Sequence, residues 1–153
     1  MPDQPEAKLH LIKLSVGTDS IEDLRAWQSA RAAERLARGE DPRPRHVTRM
    51  WPKRGDELLA GGSIYWVIRG VVRVRQRIAA LEEVIGEDGI RRCGIRLDPA
   101  LIPTVPRPRS AFQGWRYLSP SDAPQDIGAA PGDEPGLPPG LREALARFGV
   151  LPG

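Results

Sequence analysis

Apolar and polar positions along the chain change period several times, and each change marks an element. Residues 8–16 (KLHLIKLSV) place Leu9 and Leu11 on one side and His10, Ile12 and Leu14 on the other, which predicts a buried strand ended by Gly17. Residues 19–38 predict a helix. Asp19 or Ser20 serves as its N-cap, Glu22 and Asp23 sit in the first turn where the helix dipole favours anions, and Gly39 stops it. Two stripes compete for its inner face. Ile21, Leu24, Trp27 or Gln28, Arg31 and Arg35 follow the spacing but are only partly apolar. Leu24, Trp27, Ala30, Ala33 or Glu34, and Ala37 are the more apolar set, leaving Arg25, Arg31, Arg35 and Arg38 on a solvated face.

Residues 46–51 (HVTRMW) alternate as a strand. A turn at 52–55 and a short helical turn at 56–60 follow, closed by Gly61 and Gly62. Residues 63–78 (SIYWVIRGVVRVRQRI) are dense in β-branched and aromatic residues and predict a strand. Gly70 within it predicts a bulge or a sharp bend, as at a barrel corner. Glu87-Asp88-Gly89 predicts a hairpin turn between a strand ending near Ile85 and another over 90–97. A short strand at 101–105, an extended PRPR segment and a final strand within 111–118 complete the body. One long helix and five or six short strands predict an α+β fold: a small, mostly antiparallel, barrel-like sheet with the N-terminal helix packed on it. Residues 1–7 read as a flexible end, 8–118 as the single domain, 119–140 as a Pro- and Gly-rich linker, and 141–153 as a short helix and tail.

Length adds little to this picture: 153 residues suit one domain with its own core. The lone Cys93 excludes an intramolecular disulfide and a Cys-based zinc site within the chain. Its basic flank, Arg91 and Arg92, would activate a thiol; the alternative is a small apolar residue in a strand. The acidic, Pro-containing start lacks the cationic region of a secretory signal, and no apolar run approaches a membrane span, so the expected location is cytoplasmic. Charge is the more informative quantity. The net +3 divides into −2 for residues 1–41, +8 for 42–118 and −3 for 119–153, a basic body between acidic ends. That distribution suits a polyanionic partner. Arg outnumbers Lys 20 to 3, and a compositional bias of the coding sequence would produce the same excess.

The words LHLIKLSVG, DLRAWQ, HVTRMWPKR, GGSIYWVIRGVV, RQRI, EDGIRRC, LDPALIP and AFQGWRYL together resemble an uncharacterised bacterial family known only as a domain of unknown function, over residues 9–127. That resemblance implies no activity and no ligand. The strand ending in Gly (IYWVIRG), the Val-rich strand after it and the terminal aromatic strand resemble, more distantly, the PUA-like barrels of the ASCH and EVE groups, which implies binding of RNA or modified bases. The ASCH signature, Gly-x-Lys-x-x-Glu-x-Arg, is not kept: Lys53 and Glu57 are one residue too far apart, and its Gly and Arg are missing.

The candidate chemistry is cationic and aromatic. Alternate strand residues stand about 6.6 Å apart, so Arg73, Arg75 and Arg77 would form a comb at roughly the phosphate pitch of an extended single strand. The same row also reads as a solvated sheet face. Arg69, Arg49, Lys53, Arg54 and Arg116 add charge nearby, and Trp51 and Trp115, next to turns, would stack on bases or pack in the core. The favoured function is a non-enzymatic module for RNA, single-stranded nucleic acid or a modified base. The alternatives are a small hydrolase-type enzyme using Lys53, Glu57 and His46, and a protein-interaction module using the Pro-rich 103–109 segment. No catalytic residue, cofactor or metal is expected. His10 and His46 lack metal spacing, Asp56-Glu57 and Glu82-Glu83 do not form facing pairs, and Gly61-Gly62-Ser63 lacks the length and lysine of a phosphate loop.

Overall fold

The computed structural model describes residues 7–127. Seven strands and two helices follow in the order β1 (His10–Leu14), α1 (Ile21–Ala37), β2 (Arg45–Thr48), α2 (Gly55–Leu59), β3 (Ser63–Ile68), β4 (Val71–Ile85), β5 (Arg91–Leu97), β6 (Ile102–Pro108) and β7 (Trp115–Leu118). They build one sheet in the order β2-β5-β4-β3-β1-β7, with β6 also paired to β4. Only β1 and β3 run parallel; the other pairs are antiparallel. The α+β class and the antiparallel bias hold. The barrel-like closure does not: β2 and β7 end an open sheet, because no ladder joins them among the described residues.

Gly70 is neither a bulge nor a barrel corner. Ile68 pairs with Val71, and Arg69 (φ 51°) and Gly70 (φ 78°) form the two-residue turn of a β3–β4 hairpin. Positive φ at both central positions matches the right-handed twist of the flanking strands, and Gly takes it at no steric cost. The bulge lies further on. Trp66 pairs with Val74 and Val67 with Val72, so Arg73 is the extra residue of β4. One unpaired residue reverses the facing of everything beyond it. Val72 therefore packs with Ile12, Tyr65, Val67 and Leu118 on one face, while Val74 and Ile78 join the larger cluster on the other with Leu11, Ile64, Trp66, Ile68, Ile95 and Leu97. All six residues of β3 are buried because both its faces are covered.

Leu24 of α1 and Leu58 of α2 cover the larger cluster; Phe112 and Ala123 pack against the smaller. Ser20 caps α1, its Oγ accepting the Asp23 N–H at 3.1 Å, while the Asp23 carboxylate accepts the Asp19 N–H at 2.9 Å. The more apolar stripe is not the inner face of this helix. Trp27 is 55% exposed, whereas Leu24 and Gln28 are buried, with Ile21, Arg31 and Arg35 half-buried beside them. The reason is a polar partner in the sheet. Gln28 and Gln76 exchange two amide hydrogen bonds of 2.9 Å, Trp66 Nε1 donates to Gln76 Oε1 at 2.9 Å, and Gln76 Nε2 also donates to the Asp98 carbonyl at 3.1 Å.

The body extends past residue 118. Val105 N–H donates to the Gln125 carbonyl and Ile127 N–H to the Pro103 carbonyl, which fastens residues 125–127 along β6. The rest of the expected linker, from 128, and the expected helix and tail at 141–153 lie outside the described residues, as does nearly all of the 1–7 end.

Candidate functional site

The arginine comb is interrupted at its centre. Arg75 reaches Asp126 Oδ1 and Oδ2 through Nε and Nη2, both at 2.7 Å, and Ser63 Oγ through Nη1 at 2.8 Å. Its charge is matched and its fork fully used, which leaves Arg73 on the bulge and Arg77 exposed on either side. Arg69 projects from the hairpin turn, 3.8 Å from Asp19. Arg49 is exposed just after β2, and Lys53 is exposed before α2. Arg54 holds Glu57 through two hydrogen bonds of 2.5 and 2.8 Å and lies over the Tyr117 ring. Arg116 is exposed and lies over Phe112.

The two tryptophans part company. Trp51 is half-buried with the Arg91 guanidinium 4.2 Å from its ring centre. Trp115 is 5% exposed, sits in the larger core opposite Lys13, and donates its Nε1–H to the Met50 carbonyl at 3.0 Å. It has no face to offer a base. The Lys53–Glu57–His46 trio does not converge either: His46 lines a cleft that neither of the other two reaches. The Pro-rich 103–109 segment is engaged as β6, laddered to β4.

His46 lines a cleft on the α1 side of the sheet. About 310 Å³ of space opens between α1, the end of β1 with its following loop, and β2. Trp66, Gln28 and Leu24 line its inner side, with Trp27 and Arg31 from α1 alongside, the guanidinium 5.5 Å from the indole centre. Lys13, Arg31, Arg35 and Arg45 line it, and no carboxylate does. Arg31 has Glu34 at 3.4 Å, and Arg45 has Glu82 at 3.9 Å, beyond hydrogen-bond range. Arg45 Nε is buried without a partner. Burial, and then repulsion from Arg96 and Arg45, lowers the Arg35 pKa; burial lowers that of Lys13. Burial thus disfavours the charged forms of Lys13 and Arg35, a condition that an anionic ligand would relieve.

His46 is held edge-on to Trp66, ring centres 5.9 Å apart, with its Nε2 buried and unpartnered. Burial, then the Lys13 charge, pushes its pKa down to about 4, so the imidazole is neutral at pH 7. The position of α1 over the Gln28–Gln76–Trp66 network places Trp27, Arg31 and Arg35, while β1 supplies Lys13 and β2 supplies Arg45 and His46. Lys13, Trp27, Arg31, Arg35 and Arg45 were not among the residues expected from sequence to form a site. The one available signal was the partly apolar stripe of α1, where an amide and two arginines occupy inward spacing.

Two groups remain structural. His10 Nδ1 accepts the Ser63 N–H at 3.0 Å beneath Tyr65, and burial, then the Arg75 charge, pushes its pKa down to about 4. Cys93 is fully buried, and burial pushes its thiol up to about 11 despite the adjacent arginines, so it is inert packing. The histidines make a pH prediction. The unfolded chain takes up protons near the ordinary imidazole pKa of about 6.5, the folded chain only near 4, so stability is intact above about pH 6.5 and is lost as pH falls towards 4. Urea unfolding should show a loss of about 2 kcal/mol from His10 alone between about pH 7 and pH 4.5. His10→Asn, whose carbonyl still accepts the Ser63 N–H, should flatten that dependence. An unchanged pH slope in the variant would contradict the assignment.

Fold and site thus define an α+β domain with an open mixed sheet and a cationic, aromatic-walled cleft under its main helix. The chain belongs to the family described as "Protein of unknown function (DUF1489)", which it matches over residues 11–151. No curated protein and no solved structure matches it. The PUA-like resemblance is not confirmed by these comparisons. No helix among the described residues is long and apolar enough to cross a membrane. No three His, Cys, Asp or Glu side chains among them group as metal ligands.

Proposed function

We propose that this domain is a binding module for RNA, and that the cleft under α1 holds one of its nucleotides. The observation that carries the reading is the cleft lining: the exposed Trp27, with His46, for a planar base, and Lys13, Arg31, Arg35 and Arg45 for phosphate, with no carboxylate among them. Aromatic rings beside cations suit a single-stranded ligand, where stacking supplies sequence-tolerant affinity and guanidinium forks hold phosphate. The size is also apt, since about 310 Å³ is at the small end of ligand pockets. A neutral imidazole with a free buried nitrogen is suited to hydrogen-bonding a base edge. The strand face of Arg73 and Arg77 becomes a secondary contact in this reading.

Titration of the intact chain with short oligouridylates and oligoadenylates at two salt concentrations tests it. Trp27→Ala, at an exposed helix position, should weaken binding by about 1–3 kcal/mol and leave the salt slope unchanged. Arg31→Gln with Arg35→Gln should instead flatten the slope, by about 0.7 for each phosphate no longer neutralised. Arg73→Gln with Arg77→Gln should change it less. A parent-like slope in the Arg31/Arg35 variant together with a flattened one in the Arg73/Arg77 variant would move the site to the strand face. Absence of binding to any oligonucleotide would end the nucleic-acid reading.

A further inference from the structure

A second basic and aromatic cluster lies at the end of the sheet where the parallel strands β1 and β3 finish. The β3–β4 hairpin turn brings Arg69 there, 3.8 Å from Asp19 in the segment that leads from the cleft loop into α1. Beside it, the Arg109 N–H donates to the Gly70 carbonyl at 2.8 Å. Arg109 and Arg116 both lie over Phe112, their guanidinium carbons 5.2 and 5.4 Å from its ring centre. Among the described residues no carboxylate comes within ion-pair range of Arg109 or Arg116, and both side chains are exposed. Phe112 itself is half-buried against the smaller core, which gives the two guanidiniums a rigid support.

We infer that the Arg109–Phe112–Arg116 cluster, with Arg69 between it and the cleft, is a second subsite that holds the next backbone phosphates and bases of the same strand, so that the ligand is a single strand of several nucleotides rather than a free mononucleotide. The inference rests on the reading that the cleft holds a nucleotide. Its chemistry is that of a guanidinium plane already oriented by an aromatic ring: one face is committed to Phe112, the other stacks a base, and the N–H edge meets phosphate. The intervening Asp19 carries a single negative charge against three arginines. The cleft lies on the face of the larger cluster and Phe112 on that of the smaller, so a strand joining the two rounds the end of the sheet past Arg69.

Tryptophan-fluorescence titration of the intact chain with uridine 5′-monophosphate and with a uridine hexanucleotide, at two salt concentrations, tests this. The hexanucleotide should bind at least about tenfold more tightly than the monophosphate at low salt, with a steeper salt slope. Arg109→Gln with Arg116→Gln, both exposed and so compatible with folding, should lower hexanucleotide affinity about tenfold and its slope by about 1.4, leaving the monophosphate unchanged. The matching double lysine variant should keep the slope and lose affinity, because it retains charge and loses stacking. A hexanucleotide that binds no more tightly than the monophosphate, or a glutamine variant that weakens both alike, overturns the inference. Hexanucleotide binding that depends on Arg109 and Arg116 but not on Trp27 overturns the cleft reading instead. No binding of either probe removes both.

Discussion

Gly62→Ala is expected to destabilise the domain by about 3 kcal/mol or more, from a single added methyl group. A Cβ at this position would stand 2.5 Å from the carbonyl oxygens of both Leu58 and Leu9, and 3.1 Å from the Leu58 Cα. All three are backbone atoms, so no side chain can rotate away. Gly62 is also where elements are tied together. Its N–H donates to the Leu58 carbonyl at the end of α2, and its own carbonyl accepts the Ile78 N–H of β4 at 2.9 Å. Relief therefore has to come from moving α2, the lead into β1, or the start of β3, each of which packs on the larger core. Gly39→Ala is the control: φ is +73° there but the space around it is open, so only the left-handed penalty of about 1–2 kcal/mol applies. Urea unfolding of both variants decides it. A Gly62→Ala chain within about 1 kcal/mol of its parent would show that the backbone yields at this junction more readily than overpacked sites usually do.

Gln76→Leu should be at least as damaging, and through the opposite physics. The Gln76 side chain is fully buried and uses its whole hydrogen-bonding capacity: Oε1 accepts from Gln28 and Trp66, Nε2 donates to Gln28 and Asp98. Leucine fills the space but leaves the Trp66 N–H, both ends of the Gln28 amide and the Asp98 carbonyl unmatched in the interior. Each orphaned group costs about 1–3 kcal/mol, so a loss of about 4 kcal/mol is expected even after partial rearrangement. Gln28→Leu removes one side of the same pair and should cost less, because Trp66 and Asp98 keep their partner. In the double variant the two losses should not add, since the Gln28 amide left stranded by Gln76→Leu is gone. Additive losses in that cycle would mean the amide pair is not a coupled unit in solution. If the cleft binds a nucleotide as proposed, that binding should fail in Gln76→Leu before the fold does, because Gln28 and Trp66 line the cleft.

Much of the local structure was legible from spacing and punctuation. Asp19 or Ser20, with the acids at 22 and 23, marked the start of α1, Gly39 its end, and the Asp88-Gly89 turn the β4–β5 hairpin; all three are found, with Ser20 as the cap. These signals act within a few residues, where backbone sterics and capping decide. Gly70 shows how far such signals reach. Its presence announced a break in residues 63–78, but a bend, a bulge and a two-residue hairpin leave the same local mark, and only strand pairing distinguishes them. Trp115 shows the limit for site residues. Next to a turn in a basic segment it read either as a stacking platform or as core packing, and its pairing opposite Lys13 on β7 decides for the core.

The amino-acid sequence by itself determined that the chain forms an α+β domain with one long capped helix and its positive charge concentrated in the middle, because periodicity, capping and charge are properties of neighbours along the chain; that β4 runs unbroken for 15 residues was not legible. The tertiary structure alone decided which cations are spent and which converge. Arg75 lost its place in the comb to Asp126, 51 residues away, and α1 buried its less apolar stripe because Gln28 met Gln76, 48 residues away. Buried hydrogen-bonding groups must find partners at any sequence distance, and that requirement, not hydrophobicity, turned the helix and assembled the cleft.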